Sequence, residues 1–347
     1  MPTLNADPAK EGMRMASIPG RFRRTILTPD IRQTLLKVRG FPARNPEAQQ
    51  CLEVAGRTFV EGFAVAAEQG TAAETAAILS RIDSVRRGFA FEGAAMALAI
   101  RDALPLGHNH HLSDFRAVAD EHIYMIYVGA GWALARLPRR LHRAALRGLT
   151  DPVLIWLTLD GYGFHQTYFR TAQYVQRKHI DRTPPMVTTR HPSYAPRAID
   201  QGIGRALWFV SGADPDLARR LIEEFPEPRR ADLYAGLGLA ATYAGGATTD
   251  ELRTLCEGAT EYRRCLGQGA VFAAEARARA GIICPATRST LRTITGLDVG
   301  TASEIAVATR PASHTVDGRV GFEVWRERIR RQCRTAAAST TQTGAES

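Results

Sequence analysis

A Gly-x-Gly pair, or a degenerate Gly-Ala copy of it, recurs inside apolar segments along most of this chain. The first glycine of each copy is found at Gly93, Gly129, Gly161, Gly202, Gly236 and Gly267. The copies are 31 to 41 residues apart, a spacing typical of helical-hairpin repeats. Since a glycine inside a helix costs about 0.5–1 kcal/mol relative to alanine, its recurrence indicates a packing requirement. We favour close approach of two helix backbones, which a Cβ atom would prevent; close approach of a ligand and an unrecognised turn are the alternatives.

A longer correspondence predicts two related halves. Residues 86–97 align without gaps with residues 229–240, and Gly56-Arg57 upstream of the first segment matches Gly204-Arg205 upstream of the second. Apolar residues follow a helical period through most segments, so we predict an all-α protein of helical-hairpin repeats in two pseudo-duplicated halves, solenoid-like or closed. The predicted organisation is a disordered N-terminus at 1–20, a first helical half at 21–180, a Pro-rich linker or lid at 181–196, a second helical half at 197–334 and a disordered tail at 335–347.

One copy of the motif, Gly129-Ala-Gly131, also imitates the phosphate-binding loop of a dinucleotide-binding fold, with residues 124–128 as the preceding strand. Three features oppose that interpretation. The third small position of the fingerprint holds Leu134, the following helix would end before Pro138, and the same glycine pair recurs where no strand precedes it. We therefore predict no nucleotide cofactor.

Charge and cysteine content bear on the class of partner and on the cellular compartment. The net charge is +10, and 42 of the 45 basic residues are arginines spread along the chain, which favours a coding bias over a nucleic-acid interface. Five cysteines without a CxxC pair are typical of a reducing cytoplasm. No N-terminal apolar segment indicates a signal peptide, and the apolar run at 124–135 is too short for a membrane span.

The densest group of polar and aromatic residues is the segment 160–168. His165 could act as a general base there, with Asp160 as the carboxylate that orients it; a buried, hydrogen-bonded histidine is the alternative. Glu92 and Asp200 are carboxylates in otherwise apolar helices, where burial requires a partner. Candidate partners are Arg205, Arg57 and Arg136, and these carboxylates are either structural salt bridges or functional acids.

Aromatic residues near the glycine pairs could line a site for an elongated apolar ligand, or form part of the core. These are Tyr127, Trp132, Tyr162, Trp208 and Tyr243. Three histidines in the loop at 107–111 could bind a metal, but they lack the spacing of a preorganised helical site, so we expect a solvated loop, no metal and no cofactor.

Several motifs together resemble the UnbL-type accessory proteins encoded beside enediyne polyketide synthases in actinobacteria, an uncharacterised family. The matching segments are RGFAFEGAAMA at 87–97, VGAGWALAR at 128–136, LDGYGFH at 159–165, DQGIGRALWF at 200–209, RRADLYAGLGLA at 229–240 and FEVW at 322–325. The resemblance covers roughly residues 25–330 and implies a role in antibiotic biosynthesis, on an enediyne-type or related polyketide.

On that basis we expect a biosynthetic enzyme that processes a hydrophobic linear polyene, alongside other proteins of the pathway. The alternative is a non-catalytic protein that shields the intermediate or docks its partners. His165, Asp160, Glu92 and Arg205 lie inside the matching motifs and are the candidate catalytic residues.

Overall fold

The computed structural model describes residues 17–104 and 110–343, and these residues are mainly helical. The α-helices are α1 (Ile18–Leu27), α2 (Leu36–Arg39), α3 (Pro46–Glu68), α4 (Ala72–Leu79), α5 (Ser84–Ala103), α6 (His111–Val118), α7 (Ile123–Leu134), α8 (His142–Ala145), α9 (Leu157–Phe169), α10 (Ala195–Val210), α11 (Pro215–Glu223), α12 (Glu227–Ala244), α13 (Thr249–Gly258), α14 (Arg263–Arg279), α15 (Pro285–Thr295), α16 (Val299–Thr309) and α17 (Gly321–Thr343). Two short strands, β1 (Thr315–Val316) and β2 (Arg319–Val320), pair antiparallel before α17. The predicted all-α class is confirmed.

The ends of several helices follow local sequence signals. Thr71 and Glu74 form a capping box at the start of α4, in which each side chain accepts a hydrogen bond from the backbone N–H of the other residue. Asp214 caps α11 by accepting hydrogen bonds from the backbone N–H groups of residues 216 and 217, and Pro215 occupies the first helical position, which proline favours.

At its two ends the chain differs in part from the predicted organisation. Of the N-terminal segment predicted to be disordered, residues 1–16 lie outside the described residues, and α1 begins at Ile18. The C-terminal helix continues to Thr343, through most of the segment predicted to be a disordered tail, because no glycine or proline interrupts residues 322–343. The Pro-rich segment forms a short 3-10 turn at Pro192–Tyr194 that leads directly into α10.

Glycine pairs lie where neighbouring helices touch. In α7, a Cβ at Gly129 would overlap the carbonyl oxygen of Glu92 on α5, and a Cβ at Gly131 would overlap that of Thr158 on α9. Residues two apart on a helix differ by about 200° in direction, so the two glycines face opposite neighbours. The motif therefore lets one helix approach two others at backbone distance.

The contacts of the first glycines follow one register. Gly161 meets the carbonyl of Val128, Gly202 that of Asp160, and Gly236 that of Gln201. In each case the carbonyl belongs to the residue just before the first glycine of the neighbouring helix, so these preceding residues lie at one level of the molecule. On α14 it is Gly269 that makes the equivalent contact, while the nearest atom to a Cβ at Gly267 is Thr295 Cγ2 at 3.4 Å.

Six of these helices surround a central cavity. The chain packs α3, α5, α7, α9, α10 and α12 side by side in that order. The first and last of the six, α3 and α12, are also in contact. The Cys51 thiol on α3 donates a hydrogen bond to the Ala244 carbonyl at the end of α12 (2.9 Å). Among residues 17–104 and 110–343, no helix combines the length and apolar character needed to cross a bilayer.

Candidate functional site

The cavity between the six helices has a volume of about 420 Å³. Its wall is mainly aliphatic and aromatic, with contributions from every helix around it and from the turn at residues 29–34. Phe59, Trp132 and Phe164 form a continuous aromatic surface, with ring centroids 4.4 Å apart for the first pair and 5.1 Å for the second. Such a wall fits an apolar ligand.

A buried polar cluster is set into this apolar wall. The Trp132 indole N–H donates to Glu92 Oε1 (3.0 Å), and Arg205 Nη2 lies 3.7 Å from the same oxygen. Arg205 also donates through Nη1 to Asp160 Oδ1, and the Gln201 amide donates to Asp160 Oδ2 (2.7 Å). Arg205 thus lies between two carboxylates, of which Glu92 lines the main cavity.

The register of the glycine contacts explains why these residues converge. Glu92, Asp160 and Gln201 each stand immediately before the first glycine of their helix, and Arg205 lies one helical turn beyond Gln201. Because the glycines set adjacent helices at one level, the preceding side chains meet in space although up to 109 positions separate them in sequence. Our sequence analysis missed Gln201, which could have been identified from its position immediately before the first glycine of a pair.

Burial is the main influence on the Glu92 carboxyl and raises its pKa from its ordinary value of 4.5 to about 7. The Arg205 charge and the Trp132 hydrogen bond oppose that shift, while Asp160 adds to it. Burial also lowers the pKa of Arg205, but Asp160 and Glu92 outweigh it and raise the value overall, so Arg205 stays a cation. Glu92 can therefore gain and lose a proton near neutral pH.

Stability should depend on pH through Glu92. Because its pKa is higher in the folded chain than in the unfolded chain, its favourable contribution is present below pH 4.5 and is lost as pH rises through about 7. We expect the free energy of unfolding of the native protein, relative to Glu92→Gln, to fall by up to about 3 kcal/mol across this window. Urea unfolding of both proteins at a series of pH values measures this change. If the difference in free energy of unfolding between the two proteins did not vary with pH, the raised pKa of Glu92 would be contradicted.

His165 lines the same cavity but is not paired with Asp160. Asp160 is held by Gln201 and Arg205, and His165 Nδ1 has no hydrogen-bond partner among the described residues. Five positions along a helix turn the side chain by about 140° away from its starting direction, which separates the two groups. Burial, with Arg136, Arg170 and Arg39 adding to it, lowers the pKa of His165 to about 3. The imidazole is therefore neutral and too weakly basic to be an efficient general base at neutral pH.

The five candidate ligand-binding aromatics divide into two groups. Trp132 and Tyr243 line the main cavity. Tyr127, Tyr162 and Trp208 lie outside its wall and make internal hydrogen bonds, with the Asp151 backbone N–H (2.8 Å), the Gln166 amide (2.8 Å) and the Gly245 carbonyl (2.8 Å) respectively. The other Phe and Tyr residues of the cavity wall were missed by the sequence analysis: Phe59, Phe89, Phe164, Tyr168, Phe169 and Phe209.

The second candidate carboxylate has a structural partner. Asp200 accepts hydrogen bonds from Arg229 through Nη2 (2.6 Å) and Nε (3.0 Å), away from the cavity. The arginines proposed from the sequence therefore have different roles. Arg205 pairs with Glu92 and Asp160, Arg136 lines the cavity, and Arg57 is exposed.

A smaller cavity of about 40 Å³ lies on the other side of the polar cluster, which is space for one or two water molecules. Arg205, Leu239 and Tyr243 line both cavities, and Asp160 and Glu275 line the small one. The Tyr124 hydroxyl donates to Glu275 Oε1 (3.1 Å) in its wall. The cluster thus lies between two cavities whose walls are both mainly apolar.

Within the residues that the structure describes, no group of three or more His, Cys, Asp or Glu side chains could hold a metal ion. Of the three histidines in the loop at 107–111, His108 lies outside the described residues. His111 Nδ1 lies 2.8 Å from Asp102 Oδ1, at the start of α6.

The sequence profile of one family, described as "Protein of unknown function (DUF1702)", matches residues 18–333 of the chain. That match spans α1 to the buried part of α17 and includes all the cavity-lining residues named above. Neither a curated protein nor a solved structure shows significant similarity to the chain.

Proposed function

Since the chain belongs to the DUF1702 family, for which that description states no activity, we propose its function from the cavity: an enzyme that moves protons on a hydrophobic linear polyene without a cofactor. The observation that carries the proposal is Glu92, a carboxyl group with a pKa of about 7 in a mainly apolar wall. A group whose pKa is close to the ambient pH is suited to general acid–base work.

The remaining cluster residues hold Glu92 for this purpose. Trp132 fixes one carboxyl oxygen by its indole N–H, and Arg205 supplies a fixed positive charge nearby. Asp160 accepts a hydrogen bond from Arg205 and another from Gln201. Asp160 and Gln201 are positioning residues, since neither lines the main cavity. Mutual support of this kind holds the reacting carboxyl in one geometry.

The chemistry needs no redox partner. The protonated Glu92 carboxyl transfers its proton to one carbon of the conjugated chain, and the resulting cation is delocalised along the polyene beside the aromatic wall. The Glu92 carboxylate then takes a proton from another carbon, which shifts the double bonds and restores the acid. Phe59, Trp132 and Phe164 hold the chain by apolar contact.

For the biological setting we propose biosynthesis of an enediyne-type or related polyketide antibiotic in the cytoplasm. The support is the resemblance of the motifs at residues 87–97, 128–136 and 159–165 to the UnbL-type proteins, and the size and apolar character of the cavity. Other proteins of the pathway would supply the polyene and accept the product.

The alternative is a carrier that shields the polyene without changing it. The cavity wall is mainly apolar, which favours a carrier. The two candidates differ in the role of Glu92, because a carrier needs the wall but not an acid.

We also propose that the helices from α3 to α14 are copies of one hairpin unit, in two related halves, closed into a ring. Support comes from the common register of Gly129, Gly161, Gly202 and Gly236, and from the bond between Cys51 and Ala244.

Replacement of Glu92 by glutamine tests the enzyme. The amide keeps the shape of the carboxyl but cannot exchange a proton, so we expect product formation to fall by at least about 100-fold. The measurement is mass spectrometry of the polyketides made by the source strain, with its own gene deleted and a variant gene supplied. The control is Glu61→Gln, at an exposed acid on the cavity helix α3, which should leave the product unchanged.

The same experiment distinguishes a carrier from an enzyme. If Glu92→Gln forms normal product while Trp132→Ala does not, the carrier is correct and the enzyme is wrong. If both variants form normal product, the cavity has neither role.

A further inference from the structure

Helix α1 carries its largest apolar side chains on its outer face. Ile18, Phe22 and Ile26 are 85%, 66% and 61% exposed. They are four residues apart, which places them along one side of the helix. We call these three residues the α1 stripe. Isolated exposed apolar residues are ordinary, but a row of three on one short helix marks an interaction surface.

The opposite face of α1 holds the helix on the protein. Gly20 lies against the Glu68 carbonyl, Arg23 Nε donates to the Ala67 carbonyl (3.1 Å), and Leu27 packs against the core. The helix is thus fixed at the end of α3 by a small, a charged and a single apolar residue. A helix stabilised only within this chain would place its apolar side inward.

Basic residues outnumber acidic residues in the segment that carries the stripe. Between residues 17 and 44 the chain has seven basic residues and one acidic residue. Arg21, Arg24 and Lys37 are exposed, and Arg24 is paired with Glu68. Exposed apolar residues flanked by arginine and lysine are the surface pattern of a helix that lies in the interface of an anionic bilayer.

The stripe is also close to the cavity along the chain. Residues 29–34, which follow α1 directly, form part of the cavity wall through Pro29, Asp30, Gln33 and Thr34. Ile31, in the same turn, is 52% exposed. A surface bound to lipid at α1 would therefore lie beside a segment that borders an apolar cavity.

We propose that α1 docks this protein on an anionic lipid surface, with the α1 stripe inserted among the acyl chains and the surrounding arginines against the headgroups. This peripheral contact needs no spanning helix. It is independent of the chemistry proposed for Glu92, since it places the protein at a membrane whether the cavity holds a substrate, a carried ligand or neither.

Vesicle co-sedimentation of the full-length protein tests the proposal. We expect binding to vesicles that contain phosphatidylglycerol, and much weaker binding to phosphatidylcholine alone or at raised salt. The variant Ile18→Ser/Phe22→Ser/Ile26→Ser should bind the anionic vesicles at least about 100-fold more weakly. It should unfold at the temperature of the native protein, because the three side chains are already exposed. The matched control is Val307→Ser on α16, where the side chain is 59% exposed, and it should bind normally.

Failure of the native protein to bind the anionic vesicles would overturn the proposal, and so would undiminished binding of the triple variant. Sedimentation velocity without lipid measures whether the protein self-associates. Self-association that the triple variant abolishes, without vesicle binding, would assign the α1 stripe to a second copy of the chain instead of a membrane.

Discussion

Replacement of Arg205 by methionine is expected to lower the free energy of unfolding by about 3–5 kcal/mol at neutral pH. Arg205 lies between Glu92 and Asp160, and all three side chains are buried. Without the guanidinium, Asp160 keeps only the Gln201 amide and Glu92 only the Trp132 indole. An unpaired buried carboxylate is costly, which is why removing one partner of such a cluster is more damaging than replacing all of it.

Urea unfolding followed by circular dichroism measures the loss. The control is Arg57→Met, at an exposed arginine on α3, which should change the free energy by no more than about 0.5 kcal/mol. Adding Asp160→Asn to Arg205→Met should recover part of the loss, because the two residues are coupled. If Arg205→Met were as stable as the control, the cluster would not have the electrostatic structure described above.

The second large effect is expected at Gly161. A Cβ there would overlap the Val128 carbonyl oxygen, and backbone atoms cannot move aside as a flexible side chain can. We expect Gly161→Ala to destabilise the protein by about 1–3 kcal/mol, although alanine is the better helix former. It should also displace the adjacent Asp160 from Arg205.

Gly267→Ala is the matched control, since the nearest atom to its Cβ is a methyl group at 3.4 Å. Without a backbone clash, the helix propensity of alanine should leave stability unchanged or raise it by about 0.5–1 kcal/mol. Thermal unfolding of the two variants under one condition gives the comparison. Equal stability of both would show that the glycine pairs are not close-packing positions.

These positions show how much of the fold could be predicted from the sequence. The helical period and the recurrent glycines indicated an all-α chain with close helix contacts, and the structure places glycines such as Gly129 and Gly202 at such contacts. What the sequence did not indicate is which neighbouring helices the two glycines of a pair face. That property depends on the order of the helices in space.

The candidate site was predictable only in part, for the same reason. The requirement that a buried carboxylate has a partner led to three candidate arginines, and the structure pairs one of them, Arg205, with Glu92. The supposed Asp160–His165 pair did not form, because neighbours in sequence on one helix point in different directions while the partner of Asp160 comes from α10. Tyr127 and Trp208 are similar cases, since the sequence shows their apolar setting but not which side of the helix the cavity occupies.

The most direct test of a polyene site beside Glu92 is a binding titration with a linear conjugated tetraene fatty acid. Trp132 is the one tryptophan among the residues lining the main cavity, so a bound polyene should quench its emission by energy transfer. We expect saturable quenching in the native protein and a large reduction in Trp132→Phe. Quenching should be lost in Ala55→Phe, which fills the cavity, and kept in the triple variant of the α1 stripe. No saturable quenching, or full quenching in a folded Ala55→Phe protein, would contradict a polyene site in this cavity.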